Sequence, residues 1–180
     1  MNITVVGCGK IGQAIVASLV AEGHDVVVID KNEEAIAETT NIYDVIGVCG
    51  IGTDCEVLTE AGADKADIFI AVTGSDELNM LSCYIAKTLG AENTIARIRN
   101  REYNEKSLGF LQHQLGLSMS INPEFFAAHD IYNVLKLPSA AHIETFSTRN
   151  FEIIELILRD NSPLSGVKII DLRRQHKAKF

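Results

Sequence analysis

Positive charge is scarce in this sequence: 16 Lys and Arg stand against 24 Asp and Glu, giving its 180 residues a net charge of −8. A surface that neutralises nucleic-acid phosphates needs clustered Lys and Arg, so the balance argues against a nucleic-acid partner. The one basic stretch, Arg173-Arg174-Gln175-His176-Lys177, reads as a solvated chain end. Long apolar runs are also missing. None reaches the ~18 residues that crossing a bilayer takes, so no direct membrane insertion is expected. The start, Met1-Asn2-Ile3-Thr4-Val5-Val6, lacks the positive n-region of a signal peptide and reads as a strand. Cysteine is present but unpatterned. Cys8, Cys49, Cys55 and Cys83 form no C-x-x-C pair and have no His at metal-ligand spacing, which leaves no metal site and fits a reducing, cytosolic setting.

Catalytic signatures are missing too. The sequence has no G-x-S-x-G, no H-E-x-x-H and no Walker loop. His24, His113, His129, His142 and His176 have no carboxylate at recognisable spacing and read as surface or capping residues. One enzyme-like match needs weighing: Tyr132-Asn133-Val134-Leu135-Lys136, with Ser118 and Ser120 upstream, resembles the short-chain dehydrogenase set, in which Lys lowers the Tyr pKa. Those enzymes space their first glycines as G-x-x-x-G-x-G and carry N-N-A-G after the fourth strand, and this sequence has neither. Tyr132 and Lys136 therefore read as residues of a packing helix, and no catalytic residue is expected. The alternative function kept open is an NAD-dependent oxidoreductase without its substrate domain.

What the sequence does have is apolar residues, 47% of the chain, with a mean hydropathy of +0.13. Val- and Ile-rich runs recur at Ile3–Val6, Val26–Ile29, Val45–Val48, Ile68–Val72, Thr94–Ile98 and Leu117–Ile121. They lack in/out alternation, as strands covered on both faces do. Segments of helical period separate them: one around Ile11, Ile15, Leu19 and Val20, then Glu33–Asn41, Cys55–Ala63 capped by Thr53 or Asp54, Asp76–Leu89 and Tyr103–Leu115. This alternation predicts an α/β fold, a Rossmann-type doubly wound parallel sheet of six strands. After Ile121 the pattern changes. Asn122-Pro123-Glu124 starts a helix that runs to about Leu137. Phe146–Arg149 and Glu152–Leu158 then read as strands, Asn161-Ser162-Pro163 as a turn and Leu164–Leu172 as a closing segment. The domains expected are 1–137, the nucleotide-binding sheet with its last helix, and 138–180, a piece too small to hold a core alone and read as the start of a truncated subdomain.

Gly7-Cys8-Gly9-Lys10-Ile11-Gly12 is G-x-G-x-x-G between the first strand and the first helix. Gly7 permits the turn, Gly9 admits a pyrophosphate to the backbone, and Gly12 lets helix and strand pack closely. The helix N-terminus offers N–H groups and partial positive charge to phosphates. Eighteen positions past Gly12 the second strand ends in Asp30, an acid placed to accept from adenosine ribose hydroxyls and to repel a 2′-phosphate, which favours NAD(H) over NADP(H). Lys10 lies at the phosphate end of the loop as a point charge. Gly50, Thr53, Thr73, Gly74 and Ser75 follow later strands and suit either ligand contact or turns. Arg97 and Arg99 would share one side of a regular strand, Arg97 within reach of phosphate.

These residues together resemble the regulator-of-potassium-conductance family, of the N-terminal type found in Trk-system potassium uptake protein A. The carriers are the glycine loop, Val28-Ile29-Asp30-Lys31, Gly50 with Thr53, Ala71-Val72-Thr73-Gly74-Ser75-Asp76-Glu77-Leu78-Asn79-Met80, Ile95-Ala96-Arg97-Ile98-Arg99-Asn100 followed by Tyr103, and Ile121-Asn122-Pro123-Glu124. They cover residues 1 to about 140. The sequence departs from the family's G-D-A-T at Gly50-Ile51-Gly52-Thr53, and Lys10 stands where relatives often carry Arg, Glu or Gln. The resemblance implies a cytosolic subunit that senses a nucleotide, NAD/NADH or ATP/ADP. It implies cofactor-binding positions at Gly7, Cys8, Gly9, Lys10, Ile11, Gly12, Asp30, Lys31, Gly50, Thr53, Thr73, Gly74, Ser75, Asn79 and Arg97. It further implies a homodimer or higher ring joined through the crossover helix 122–137, by the stripe Phe125, Phe126, His129, Ile131 and Val134. The ring would sit beneath a potassium channel partner at the inner face of the membrane.

Overall fold

The computed structural model describes residues 1–100, 102–103, 105–136, 140–146 and 151–157, with 162, 165–168 and 171. The chain divides into two compact units, Met1–Phe125 and Phe126–Phe180.

The first unit alternates strand and helix. β1 (Asn2–Val6), β2 (Asp25–Asp30), β3 (Ile46–Cys49), β4 (Ile68–Ala71), β5 (Asn93–Arg97) and β6 (Met119–Ile121) form one parallel sheet in the order β3-β2-β1-β4-β5-β6. Its central strands are mostly apolar, because helices cover both faces. α1 (Lys10–Ala21) and α2 (Glu33–Ile42) pack on the side of Val5, Val28 and Ile70. α3 (Cys55–Glu60), α4 (Asp76–Leu89) and α5 (Glu105–Leu115) pack on the side of Val6, Ile29 and Phe69. Val5, Val28, Ile29, Leu58 and Phe69 lose all contact with solvent. Each such side chain contributes about 1.5–3 kcal/mol of burial free energy, an upper figure for a denatured chain that is already partly collapsed.

Short polar side chains set the helix starts by accepting from orphan N–H groups. Asn32 accepts from the Glu34 N–H at 2.9 Å, Asp54 from Glu56 at 2.8 Å and Ser75 from Leu78 at 3.2 Å. Asp54, not Thr53, thus caps α3. That helix is shorter than its sequence period predicts. Gly62 takes a left-handed φ of +71°, which stops the helix, and a 3-10 turn over Ala63–Lys65 completes the stretch. β6 likewise begins two residues later than expected, at Met119. Leu117 is buried in the core and the Ser118 hydroxyl is taken by the Thr94 N–H at 3.1 Å. Tyr103 lies in a turn before α5, its N–H donating to the Asn100 carbonyl at 3.2 Å.

α6 (Pro123–Lys136) begins in the first unit and ends in the second, with Asn122 accepting from the Phe125 N–H at 3.0 Å as the cap. In the second unit β7 (Ala140–Phe146) pairs antiparallel with β8 (Phe151–Leu156). The expected strand over Phe146–Arg149 meets the described residues only at Phe146, the last residue of β7, most of which was not expected. His142-Ile143-Glu144-Thr145-Phe146 mixes polar with apolar residues and lacks the continuous apolar run that marks the parallel strands. Residues 147–149, Leu137, most of the expected turn Asn161-Ser162-Pro163, four residues of Leu164–Leu172 and the basic tail lie outside the described residues.

Candidate functional site: a cleft at the sheet's reversal point

The register brings the strand ends to one edge: Val6 lies opposite Ile29 and Ala71, Asp30 opposite Cys49. β1 and β4 are neighbours from which the chain winds outward in opposite directions, so a crevice opens above their carboxyl ends. A cleft of about 700 Å³ occupies it. Eleven of the positions singled out in the sequence line this cleft: Gly7, Gly9, Lys10, Ile11, Asp30, Lys31, Gly50, Thr73, Gly74, Ser75 and Arg97. Cys8, Gly12, Thr53 and Asn79 do not; the first two and Asn79 are buried, and Thr53 is half-buried. Seven further residues line it that sequence reasoning missed: Val6, Ile29, Ile51, Gly52, Val72, Leu78 and Glu124. Val6, Ile29 and Val72 were discoverable as the last apolar residues before each loop. Glu124 carries no such signal beyond its place in a helix's first turn.

The three glycines of the loop do three different things. Gly7 has φ +105°, a conformation that L side chains rarely adopt, and a Cβ there would sit 3.1 Å from the Thr73 nitrogen. A Cβ on Gly12 would lie 1.8 Å from the Gly7 carbonyl oxygen, so α1 and the loop touch directly. Gly9 is neither strained nor crowded: its φ is −74° and a Cβ would meet nothing within 4 Å. The fold does not need a glycine at that position, but a phosphate approaching the backbone does. No side chain caps α1. Its first-turn N–H groups have no helical partner and its dipole end is positive there.

Asp30 is oriented by the main chain. Its Oδ2 accepts from the Cys8 N–H at 2.8 Å and its Oδ1 from the Asn32 N–H at 2.9 Å. Each oxygen keeps lone pairs for a second donor, as two vicinal hydroxyls would supply. The Cys8 side chain itself is buried, and burial pushes its thiol up to about 11.

Across the crevice, fully buried Asn79 ties β4 to β5. It accepts from the Thr73 N–H at 2.8 Å and the Thr73 hydroxyl at 2.6 Å, and donates to the Arg97 carbonyl at 2.9 Å. Arg97 ends β5 with its guanidinium in the cleft, where Nη2 binds the Glu124 carboxylate. Burial alone would raise the Glu124 carboxyl, but the hydrogen bond and charge of Arg97 hold it below its ordinary value. Arg99, expected beside Arg97, goes elsewhere because β5 has already ended. Its main-chain N–H and that of Asn100 each bind Asp76 Oδ2 at 2.8 Å, and its Nε reaches Oδ1 at 3.3 Å.

The enzyme-like residues are employed elsewhere. Ser118 serves Thr94, and Ser120 accepts from Gln112 at 2.8 Å. Tyr132 is exposed on α6, in the second unit, and is not a lining residue of the cleft. Among the described residues no three His, Cys, Asp or Glu group to hold a metal, and no helix is long and apolar enough to cross a membrane.

The sequence profile of the TrkA-N domain matches residues 3–123, all of the six-stranded sheet but Asn2 and every lining residue of the cleft but Glu124. This chain belongs to the TrkA-N domain family. Curated relatives agree. A Trk system potassium uptake protein TrkA homolog of Archaeoglobus fulgidus is 36% identical over 172 residues, 96% of this chain and 39% of that protein. One of Methanothermobacter thermautotrophicus is 30% identical over 96% of this chain and 77% of its own length. This TrkA-N chain therefore spans about two fifths of the Archaeoglobus protein. Among solved structures, the TrkA-N domain of the inner membrane protein ybaL from Escherichia coli superposes with a TM-score of 0.65 at 18% identity, covering 74% of this chain and 96% of that one. The GsuK channel bound to NAD gives 0.57 at 22% identity over 67% of this chain and 21% of its own, and GsuK bound to ADP gives 0.57 at 21% identity over 67% and 31%. At these identities the likeness is one of fold.

Proposed function

We propose that this TrkA-N domain is the nucleotide-sensing part of a regulatory subunit of a potassium uptake system, and that it does no chemistry on its ligand. The observation that carries the reading is the pairing of Gly9, with open space where its side chain would be, and Asp30, whose two oxygens are aimed by main-chain N–H groups. Asp30 takes the adenosine ribose, the first turn of α1 takes the phosphates, and Lys10 adds a point charge beside them. The ligand is an adenine nucleotide, NAD(H) or ATP/ADP; GsuK, of the same fold, was solved with NAD and with ADP. It supplies binding energy and charge, not a reaction.

Regulation follows from differential affinity. A ligand that binds one arrangement of paired domains tenfold more tightly shifts the balance by ~1.4 kcal/mol per domain. The pairing face is the exposed apolar stripe of α6, Phe125, Phe126, Ile131 and Val134, and the assembly sits cytoplasmically on a membrane channel partner. Residues from 138 onward open the family's C-terminal subdomain. The test is calorimetric titration with NADH, NAD, ATP and ADP, followed by small-angle scattering of each complex. At least one nucleotide should bind and change the dimer's scattering profile. Binding that leaves the profile of every complex unchanged contradicts the switch.

A further inference from the structure

We infer that Glu124 is a built-in competitor for the anion-binding edge of Arg97, so that the site grades its ligands by the charge they carry at the end far from the adenosine. The inference rests on the nucleotide-site reading above and adds to it a specificity-determining residue.

The sheet order fixes a direction across the cleft. Asp30 and the Gly50–Gly52 turn follow β2 and β3, on one side of the glycine loop. Thr73 follows β4, Arg97 ends β5 and Glu124 follows β6, on the other. A nucleotide with its ribose on Asp30 and its first phosphates over Gly9, extending along the cleft past the glycine loop, runs toward Arg97. The guanidinium there is already engaged. Its Nη2 binds Glu124, Nη1 lies 3.5 Å from the Thr73 carbonyl, and its Nε is buried with no acceptor among the described residues. The Arg97 side chain is 11% exposed whereas that of Glu124 is 51% exposed, so the acid is the partner that can leave. A guanidinium binds a phosphate with the same fork that it offers a carboxylate. A terminal phosphate and the Glu124 carboxylate are thus rivals for one cation, and the exchange conserves its charge pairing. When the ligand is too short to reach Arg97, the ion pair stays closed. When it reaches, the carboxylate of Glu124, in the first turn of α6, is released from Arg97.

The experiment is a calorimetric series with AMP, ADP and ATP in the absence of divalent cations, on wild type, Glu124→Gln, Arg97→Gln and the double variant. Removing the competitor's charge should tighten ATP by about tenfold while AMP stays within about twofold of wild type. On the Arg97→Gln background ATP should bind no better than AMP, and Glu124→Gln should bring no further gain. That coupling separates competition for Arg97 from plain repulsion between Glu124 and phosphate, which would persist without the arginine. Should Arg97→Gln not fold, Arg97→Lys carries the same cycle: a point charge in place of the fork shrinks the gain. An AMP:ATP ratio unchanged by Glu124→Gln, or ATP weakened by it, overturns the inference while AMP binding through Asp30 stands. Failure of AMP to bind, or AMP binding indifferent to Asp30→Ala, removes the nucleotide site and the competition together.

Discussion

The Cys8 N–H donates to Asp30 Oδ2 at 2.8 Å, so the middle of the glycine loop and the end of the neighbouring strand are one hydrogen-bonded unit. The loop's shape and the acid's aim are set together, before any ligand arrives. That is preorganisation, and it lowers the ordering cost that binding would otherwise carry.

Gly9 and Gly12 should behave oppositely on substitution. Gly12→Ala forces a Cβ to within 1.8 Å of the Gly7 oxygen and should destabilise the fold by about 1–3 kcal/mol or more, read by urea denaturation. Gly9→Ala meets nothing and should leave the denaturation midpoint within experimental scatter. Its nucleotide affinity should nonetheless fall by about tenfold or more, since the methyl occupies the phosphate's approach. Equal effects of the two substitutions on stability would contradict the assignment of their roles.

Asn79→Ala should be among the most damaging single changes. It strands the Thr73 N–H and the Arg97 carbonyl, both part-buried, each costing up to about 1–3 kcal/mol. Urea unfolding checks the loss, and Asn79→Asp, which keeps the acceptor for Thr73 but not the donor for Arg97, should recover part of it.

Acid stability should depend on Asp76. Burial alone would raise its carboxyl, but the N–H groups of Asn100 and Arg99 and the Arg99 guanidinium hold it below its ordinary value of 3.8. A carboxyl with a depressed folded pKa contributes stability that is present above the unfolded value and lost as pH falls through the folded one. Wild type should therefore lose stability below about pH 4 more steeply than Asp76→Asn, in unfolding measured between pH 3 and pH 7. Parallel pH profiles would show that the clamp on residues 99–100 does not titrate.

Thiol labelling should divide the cysteines into two pairs. Burial pushes Cys8 up to about 11 and Cys83 up to about 12, whereas Cys49 and Cys55 are exposed. Iodoacetamide at pH 8 should modify Cys49 and Cys55 in the folded protein and reach Cys8 and Cys83 only with denaturant, as mass spectrometry counts.

Much of this was legible in the residues. Strands such as Val26–Ile29 announce themselves because a parallel strand buried on both faces needs no polar alternation. Asp30 follows from its distance to the loop. What resisted reading depends on which loops the topology makes neighbours. Glu124 and Arg97 are 27 positions apart and meet only because β5 and β6 pair. Arg99 escaped its expected place because one residue decides whether a strand continues, and the Asp76 carboxylate that draws its N–H lies on a different element. β7 was missed because the search was for continuous apolar runs, and His142, Glu144 and Thr145 interrupt it.

The most direct measurement compares ADP binding by wild type and Asp30→Ala, with the melting temperature recorded for both. On the proposed reading the variant loses two charge-assisted hydrogen bonds from the ribose, so ADP should weaken by about tenfold to a hundredfold while the protein stays folded. Undiminished ADP affinity in a folded Asp30→Ala protein, or no affinity for it in wild type, would contradict the account at its centre.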